Sequence, residues 1–375
     1  MIMENASELS TPTTPAITPD EQRLLALAQD IADTVLEPNA EAIDLAGELP
    51  VANLDTLAKA GLAGVTTPGE WGGSGGGGTF LREYTEVLTA ACGTTWFVLT
   101  QHLGSCSQLA TSQNPSLRER FLREAAAGNH YIGVGFGHLR RPEPMLRAEP
   151  VSGGYVLNGV APWVTGWPIL KGVIFGAVMP DGEQHVYLYA DTTESDSLLS
   201  SPPLPLCAMN ASATTEVRLT NHFLPEENFV RFSSRKAMAE GDERGIAGAA
   251  TPPLGCARGA LKNLQAVAKK RSSLVALQEA ADAFASEIDA CRTEARHISD
   301  GPKDTPDYKT NALRVRAWAF ELSVRVAYAA VAASSGGANS RLHPAQRRFR
   351  EAMFYTLIAQ TGDILTATVE RLARK

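Results

Sequence analysis

The chain has 375 residues, 44% of them hydrophobic and 20% charged, which is the composition of a globular protein with a large core. Its formal charge of −7 excludes general binding to nucleic acids or anionic membranes, because neither surface attracts a net anion. The five cysteines and seven histidines lack disulfide or metal-ligand spacing, and no apolar run reaches the length of a membrane span. We therefore expect a cytoplasmic protein without a metal site or a membrane span.

The first part of the chain is predicted to be helical. Residues 1–17 are rich in Thr and Pro and are predicted to form a disordered tail. Thr18 and Glu21 then match a capping box, with a proline at the first helical position. Pro38 is predicted to break this helix. Residues 18–128 are therefore expected to form an N-terminal helical domain. Its later helices are predicted over Val51–Ala60, Leu81–Leu99 and Pro115–Ala126.

Residues 129–230 change to short apolar or alternating runs separated by Gly, Pro, Asn and Asp, which indicates a compact β domain. Within it, Asn158-Gly159 is predicted to be a hairpin turn. That turn would place Trp163 and Thr165 on one face of the following strand. The predicted strands are Tyr131–Phe136, Gly154–Leu157, Gly172–Val178, His185–Ala190 and Thr215–Leu219.

Residues 240–375 are predicted to form a C-terminal helical bundle, because long alanine-rich segments with helical periodicity return there. The fold class is therefore α+β and mainly α. The predicted helices of the bundle are Gly255–Lys270, Ser272–Ile298, Lys309–Ala333 and Arg347–Ala373.

Four arginines, Arg341, Arg347, Arg348 and Arg350, crowd one stretch near the C-terminus. Two interpretations remain open from the sequence. The arginines belong to a solvated or salt-bridged helix start, or they form an anion site for a phosphate-bearing ligand.

Local motifs in this order resemble the acyl-CoA dehydrogenase family over nearly the whole chain. The early Gly-rich turn is similar to the family's passage between its first helices, and the later motifs match its flavin-contacting segments. The motifs are Ala60-Gly61-Leu62, Pro68–Gly73, Gly154–Gly159, Trp163-Val164-Thr165, Pro253-Leu254-Gly255, Gln278, Ser335-Gly336-Gly337, Pro344–Glu351 and Thr361-Gly362-Asp363-Ile364.

The resemblance implies a β-barrel-like central domain, a C-terminal four-helix bundle and bound FAD. It also implies that Trp163 packs against the flavin ring, with Thr165 close to its reactive nitrogen. Gly336 and Gly337 are expected close to the pyrophosphate or the ribityl chain, and Thr361 near the adenosine half. A homodimer or homotetramer is expected, with a flavin reductase or an electron-transfer protein as a further partner.

The catalytic base of the family is missing from its usual position. The family has a glutamate directly before the motif that matches Thr361, and this chain has Ala359 there. A methyl group cannot accept the substrate's α-proton. Some family members carry the glutamate on an earlier helix, and Glu243 is the candidate at that position. The alternative is that Glu243 is an exposed acid at a helix start, where it would favour the helix dipole.

Two flavin-contacting segments of the family are also altered. Phe136, Gly137 and His138 stand where the family has a Thr-Glu motif, and we predict that they contact the flavin, with His138 as a candidate proton donor. The alternative for His138 is a loop histidine. Arg271 and Gln278 are the candidates for contacts with the pyrophosphate of a neighbouring subunit's FAD, although the segment between them is shorter than in the family.

Three functional hypotheses follow. The first is an FAD-dependent oxidoreductase that acts on CH–CH bonds of an acyl-CoA or a related substrate with an unusual base. The second is a two-component flavin-dependent monooxygenase of the same fold, which needs no α-proton base. The third is a non-catalytic scaffold or binding protein with a degraded flavin site.

Overall fold

The computed structural model describes residues 17–373. The predicted disordered tail, residues 1–17, lies outside the described residues except for Ile17. Among the described residues, no helix combines the length and the apolarity that crossing a membrane requires. The N-terminal helices are α1 (Pro19–Ile31), α2 (Glu37–Ala46), α3 (Val51–Lys59), α4 (Gly78–Ala91), α5 (Gly93–Ala110) and α6 (Pro115–Ala126).

The start of α1 is capped as the sequence predicts. The Thr18 hydroxyl accepts a hydrogen bond from the Glu21 backbone N–H at 3.2 Å, and Glu21 accepts one from the Thr18 backbone N–H at 2.8 Å. The expected break at Pro38 is wrong. One π-helical segment (Ala32–Leu36) links α1 to α2 without a break in the helical backbone, and Pro38 lies in the first turn of α2.

The predicted helix Leu81–Leu99 consists of two helices. Cys92 separates α4 from α5 because its backbone is extended, with φ −146° and ψ 104°. The carboxyl end of α4 and the amino end of α5 therefore meet at this residue.

The central domain is one mixed eight-stranded sheet in the order β6-β7-β3-β2-β4-β5-β8, with β1 paired in parallel to β4. Its last strand extends the domain slightly past the predicted end at residue 230. The strands are β1 (Tyr131–Gly135), β2 (Leu146–Val151), β3 (Gly154–Val164), β4 (Leu170–Val178), β5 (Gln184–Asp191), β6 (Leu198–Ser200), β7 (Thr215–Pro225) and β8 (Phe229–Ser234).

The predicted hairpin turn at Asn158-Gly159 is wrong, because both residues lie inside β3. The real two-residue turn is Ser152-Gly153, between the paired residues Val151 and Gly154. Gly159 instead accompanies a register shift between β3 and β7 and has φ +130°. A Cβ at Gly159 would collide with the Met145 carbonyl oxygen, so the glycine allows the close approach of two chains.

The C-terminal helices pack mainly around α10, which contacts each of the other long helices. The predicted last helix, Arg347–Ala373, is broken over residues 356–361, where Ala359 takes a left-handed φ of +48°. The helices are α7 (Arg235–Arg244), α8 (Thr251–Lys270), α9 (Val275–Asp300), α10 (Tyr308–Ser334), α11 (Pro344–Tyr355) and α12 (Gly362–Leu372).

Three of the four arginines near the C-terminus are salt-bridged within the chain, and Arg341 donates to the Asp44 carbonyl at 3.2 Å. Arg347 and Arg348 are buried and both contact Glu351, at 2.6 Å and 3.2 Å. Arg347 also contacts Glu41 of α2 at 2.9 Å, and Arg350 pairs with Asp44 of the same helix. The structure therefore favours the salt-bridge interpretation over the anion site.

We predict that Glu351→Gln lowers the free energy of unfolding by about 3–5 kcal/mol, because it leaves two buried guanidinium groups short of an acceptor. Urea unfolding at pH 7 measures this change. The control is Glu294→Gln, whose partner Arg314 is 42% exposed, and the expected loss is about 1 kcal/mol or less. Equal effects of the two substitutions would contradict a structural role for the buried cluster.

Among the buried histidines of the described residues, which also include His185, two have a strongly lowered pKa. His102 is 1% exposed, lies 3.0 Å from the Ala125 carbonyl through Nε2, and accepts the Ile132 N–H at 3.2 Å through Nδ1. His138 is 2% exposed, and neither ring nitrogen has a hydrogen-bond partner. Burial lowers the pKa of each histidine to about 4, so both rings are neutral at pH 7.

Because these histidines protonate near pH 6.5 in the unfolded chain but only near pH 4 in the folded chain, acid favours unfolding. As the pH falls between these two values, each ring lowers the free energy of unfolding by about 1.4 kcal/mol per pH unit. Above pH 7 the two histidines no longer contribute to the pH dependence of stability. His138→Leu is expected to remove one such contribution, as measured by urea unfolding from pH 4.5 to 7.5. Substitution of the exposed His297 by Gln is the control. An unchanged slope in His138→Leu would refute the assignment.

Candidate functional site

A cavity of about 250 Å³ lies where α7, α10 and α12 meet the 3₁₀ turn Gly137–Arg140. Leu139, Met238, Ile246 and Ile364 give it apolar walls. Seven polar or charged residues also line it, namely Arg140, Arg235, Asp242, Glu243, Lys309, Thr361 and Asp363. An apolar cavity with a few convergent polar groups is the usual form of a small-molecule site.

Glu243 lies in α7 and shares one ammonium group with Asp363. Lys309 Nζ is 3.3 Å from Glu243 Oε2 and 2.7 Å from Asp363 Oδ2. These hydrogen bonds, first that of Asp363 and then that of Glu243, raise the pKa of Lys309. The Glu243 side chain is 46% exposed, so its carboxylate is held at the cavity but remains accessible.

The turn over residues 356–361 reaches the cavity at Thr361. Ala359, which the sequence predicts at the family's usual base position, has only a methyl side chain. Thr361 lines the cavity and also caps α12, because its hydroxyl accepts the Ile364 N–H at 3.4 Å. The structure thus brings Thr361 and Glu243, two of the predicted site residues, to one cavity.

Arg140 closes the rim of the cavity. Its Nε and Nη2 atoms lie 2.7 and 2.8 Å from the two carboxylate oxygens of Asp242. This bidentate pair ties the 3₁₀ turn to α7, and each side chain remains about one quarter exposed. No sequence pattern predicts this pair, because its members are 102 residues apart.

Of the predicted flavin-contacting residues Phe136, Gly137 and His138, only Gly137 has free space beside its backbone. Phe136 packs edge-on against Tyr187, with ring centroids 5.4 Å apart, while a Cβ at Gly137 would meet no atom within 4 Å. His138 is neither a loop residue nor well placed as a proton donor. It is buried, and its lowered pKa leaves it uncharged at neutral pH.

Trp163 and Thr165 differ in accessibility. The Trp163 side chain is 52% exposed near the end of β3, and it offers an open aromatic surface. Thr165 lies just beyond the strand and is 3% exposed. Its hydroxyl is 2.9 Å from that of Thr214, and either group can be the donor.

A second group of predicted residues gathers at the other end of α10. Arg271 Nη1 is 3.3 Å from the Ser335 hydroxyl, beside the 3₁₀ turn Ser335–Asn339 that contains Gly336 and Gly337. Gln278 is exposed and donates to Asp282 at 2.9 Å. Because α10 has 27 residues and spans about 40 Å, this group lies far from the cavity at Lys309.

Sequence profiles and curated relatives agree on one family. The profile of the acyl-CoA dehydrogenase N-terminal domain matches residues 18–129. A probable acyl-CoA dehydrogenase of Bacillus subtilis is 24% identical, over 95% of this chain and 98% of its own length. A 3-sulfinopropanoyl-CoA desulfinase of Variovorax paradoxus is 25% identical, over 92% of each chain.

Solved structures share the fold at lower identity. A glutaryl-CoA dehydrogenase from Mycobacterium smegmatis, in complex with FADH2, superposes with a TM-score of 0.80 at 18% identity, over 96% of this chain and 95% of that one. A dibenzothiophene monooxygenase from a Paenibacillus species has a TM-score of 0.77 at 16% identity, over 94% and 97%. In the order of its helical, β and helical segments and over nearly its full length, this chain is therefore similar to acyl-CoA dehydrogenases.

Proposed function

We propose that this protein is an FAD-dependent oxidoreductase that acts on a CH–CH bond of a CoA thioester, with Glu243 as the base. The observation that carries the proposal is the shared cavity of Glu243 and Thr361. The family's usual base position has no carboxylate, and α7 brings one to the same cavity from another direction. The relatives named for acyl-CoA and glutaryl-CoA dehydrogenation support the substrate class.

The open groups of the chain fit FAD. Trp163 offers an exposed aromatic wall for the flavin ring, and the backbone at Gly137 has free space beside it. Bound FAD would supply the hydride acceptor of the reaction. Phe136, His138 and Thr165 would then support the ring from behind rather than react, because they are wholly or partly buried among protein groups.

The second group of residues requires another subunit. About 40 Å along α10 separates the cavity from Arg271, Gln278, Gly336 and Gly337. The two groups of one chain are therefore too far apart to contact the same short part of one FAD molecule. We propose that the second group binds the pyrophosphate and adenosine side of the FAD in a neighbouring copy. The exposed guanidinium of Arg271 and the open space at Gly336 suit a phosphate contact.

The base would act through the contacts of Lys309. Because Asp363 also pairs with Lys309, Glu243 can turn toward the substrate α-carbon without leaving the ammonium group unpaired. The small side chain of Ala359 leaves room at the position the usual base would occupy. Arg235, which has no carboxylate within salt-bridge distance among the described residues, lies at the cavity and suits an anionic CoA phosphate.

Binding of FAD is the first test. We expect the purified protein to bind FAD stoichiometrically and to quench its fluorescence, and Trp163→Ala to weaken binding about tenfold or more through loss of aromatic contact area. The control is Trp318→Ala, whose indole contacts Glu287 within the helical bundle. Absence of FAD binding at high micromolar concentration would contradict both enzymatic hypotheses and favour a non-catalytic scaffold.

The base is tested by anaerobic reduction of the bound flavin with a panel of acyl-CoA thioesters that includes 3-sulfinopropanoyl-CoA. We expect Glu243→Gln to slow reduction by about 10²–10⁴-fold, because an amide cannot accept the α-proton. Glu240→Gln is the matched control, since Glu240 lies on the same helix outside the cavity lining and pairs with the exposed Lys236. Its rate is expected to stay within about threefold of the wild type. Reduction of the Glu243→Gln variant at the wild-type rate would refute the assignment.

The missing carboxylate at Ala359 and the fold shared with a dibenzothiophene monooxygenase make oxygenation the second candidate. In that case no acyl-CoA reduces the bound flavin. Turnover would instead require oxygen together with a separate flavin reductase. The same anaerobic experiment, repeated with oxygen and a reductase, separates the two functions.

A further inference from the structure

Arg316 is a buried cation without a carboxylate partner. Its residue is 3% exposed, in the middle of α10, and no carboxylate lies within salt-bridge distance among the described residues. One amino group, Nη2, donates to the carbonyls of Ile358 and Ala359, at 3.0 and 3.3 Å. Its Nε has no partner at all.

Such a group is costly to keep in a protein interior. Every other arginine below 9% exposure among the described residues, Arg347 and Arg348, contacts Glu351. Burial lowers the pKa of Arg316 to about 10, which leaves it charged at neutral pH. Carbonyl oxygens satisfy two hydrogen bonds but do not neutralise the charge, and the Asp242 carboxylate, which raises the pKa of Arg316, is already paired with Arg140.

The position of Arg316 relates it to the candidate cavity. It follows Lys309, which lines the cavity, by seven residues, so the two lie on the same face of α10 about 10 Å apart. The two carbonyls that it contacts belong to the turn that ends at Thr361. The guanidinium is therefore placed beneath this turn, farther along the bundle than the polar rim.

We propose that Arg316 determines substrate specificity by binding a carboxylate carried on the acyl group of the thioester. The inference rests on the proposed function for the thioester itself and adds the chemistry of the acyl group. An acyl chain that enters past Glu243 and Thr361 reaches the face of α10 on which Arg316 lies. Its terminal carboxylate supplies the missing anion and accepts the unused Nε–H, as guanidinium forks commonly bind carboxylates.

The alternative is that Arg316 only positions the turn through the two carbonyls. A purely structural role would affect all acyl groups equally, whereas an anion site discriminates between them. The discriminating quantity is therefore the ratio of affinities for two acyl groups of equal length, with and without a terminal carboxylate.

The experiment is calorimetric titration of the FAD-loaded protein with succinyl-CoA and glutaryl-CoA, and with the neutral butyryl-CoA and valeryl-CoA of the same chain lengths. We expect at least one dicarboxylic thioester to bind about 10- to 100-fold more tightly than its neutral counterpart, as hydrogen bonds to a buried charge allow. Equal affinities in the wild type would overturn the inference. Failure of all four thioesters to bind would refute the proposed substrate class and with it the inference.

Two variants test whether Arg316 is the residue that causes the preference for a dicarboxylic thioester. Arg316→Met is expected to remove the preference while changing the affinity for the neutral thioester by less than about threefold, and Arg316→Lys to retain part of it. The control is Arg314→Met, two residues away, where an exposed side chain pairs with Glu294. Retention of the full preference in Arg316→Met would overturn the assignment. If that variant does not fold, Arg316→Lys decides, because an unchanged preference there excludes a fork-shaped carboxylate contact.

Discussion

The buried contacts of Arg348 and Glu351 hold the junction at which two helices of the N-terminal domain meet the C-terminal bundle. Arg348 donates to the carbonyls of Thr89, Ala90 and Ala91 at the end of α4, which have no partners within that helix. Glu351 accepts the Gly93 N–H at 3.2 Å, at the start of α5. A cation at a helix carboxyl end and an anion at an amino end both match the helix dipole.

This junction leaves almost no space. A Cβ at Gly259 of α8 would lie 2.7 Å from Arg348 Cζ, and one at Gly93 would lie 2.9 Å from Glu351 Cδ. The two glycines therefore let the backbone approach the buried ion pair directly. With Arg347 bound to Glu41 of α2 as well, α11 is fixed to both helical domains. The position of α11 in turn fixes the turn that follows it and the start of α12, where Thr361, Asp363 and Ile364 form one side of the candidate cavity.

The proposed reaction needs a carboxylate close to the substrate, and Glu243 rather than residue 359 would supply it. Ala359 adopts a left-handed φ, and Arg316 donates hydrogen bonds to the turn around it at the Ile358 and Ala359 carbonyls. Glu243 reaches the cavity from α7 and is balanced by Lys309. The cavity thus contains a carboxylate, a hydroxyl and a nearby cation, supplied by three different helices.

The sequence alone determined the order of domains, the capping of α1, the position of most helices, and the absence of a carboxylate at residue 359, because these follow from local periodicity, caps and motifs. The turn predicted at Asn158-Gly159 was wrong, because an Asn-Gly pair is typical of hairpin turns but here lies inside a strand, where the glycine allows two chains to approach closely. Only the tertiary structure decided that the C-terminal arginines are paired, that Glu243 and Thr361 share a cavity, and that Arg316 is buried without an anion. The partners in these contacts lie tens to hundreds of residues apart, and only packing of the helices brings them within hydrogen-bond distance.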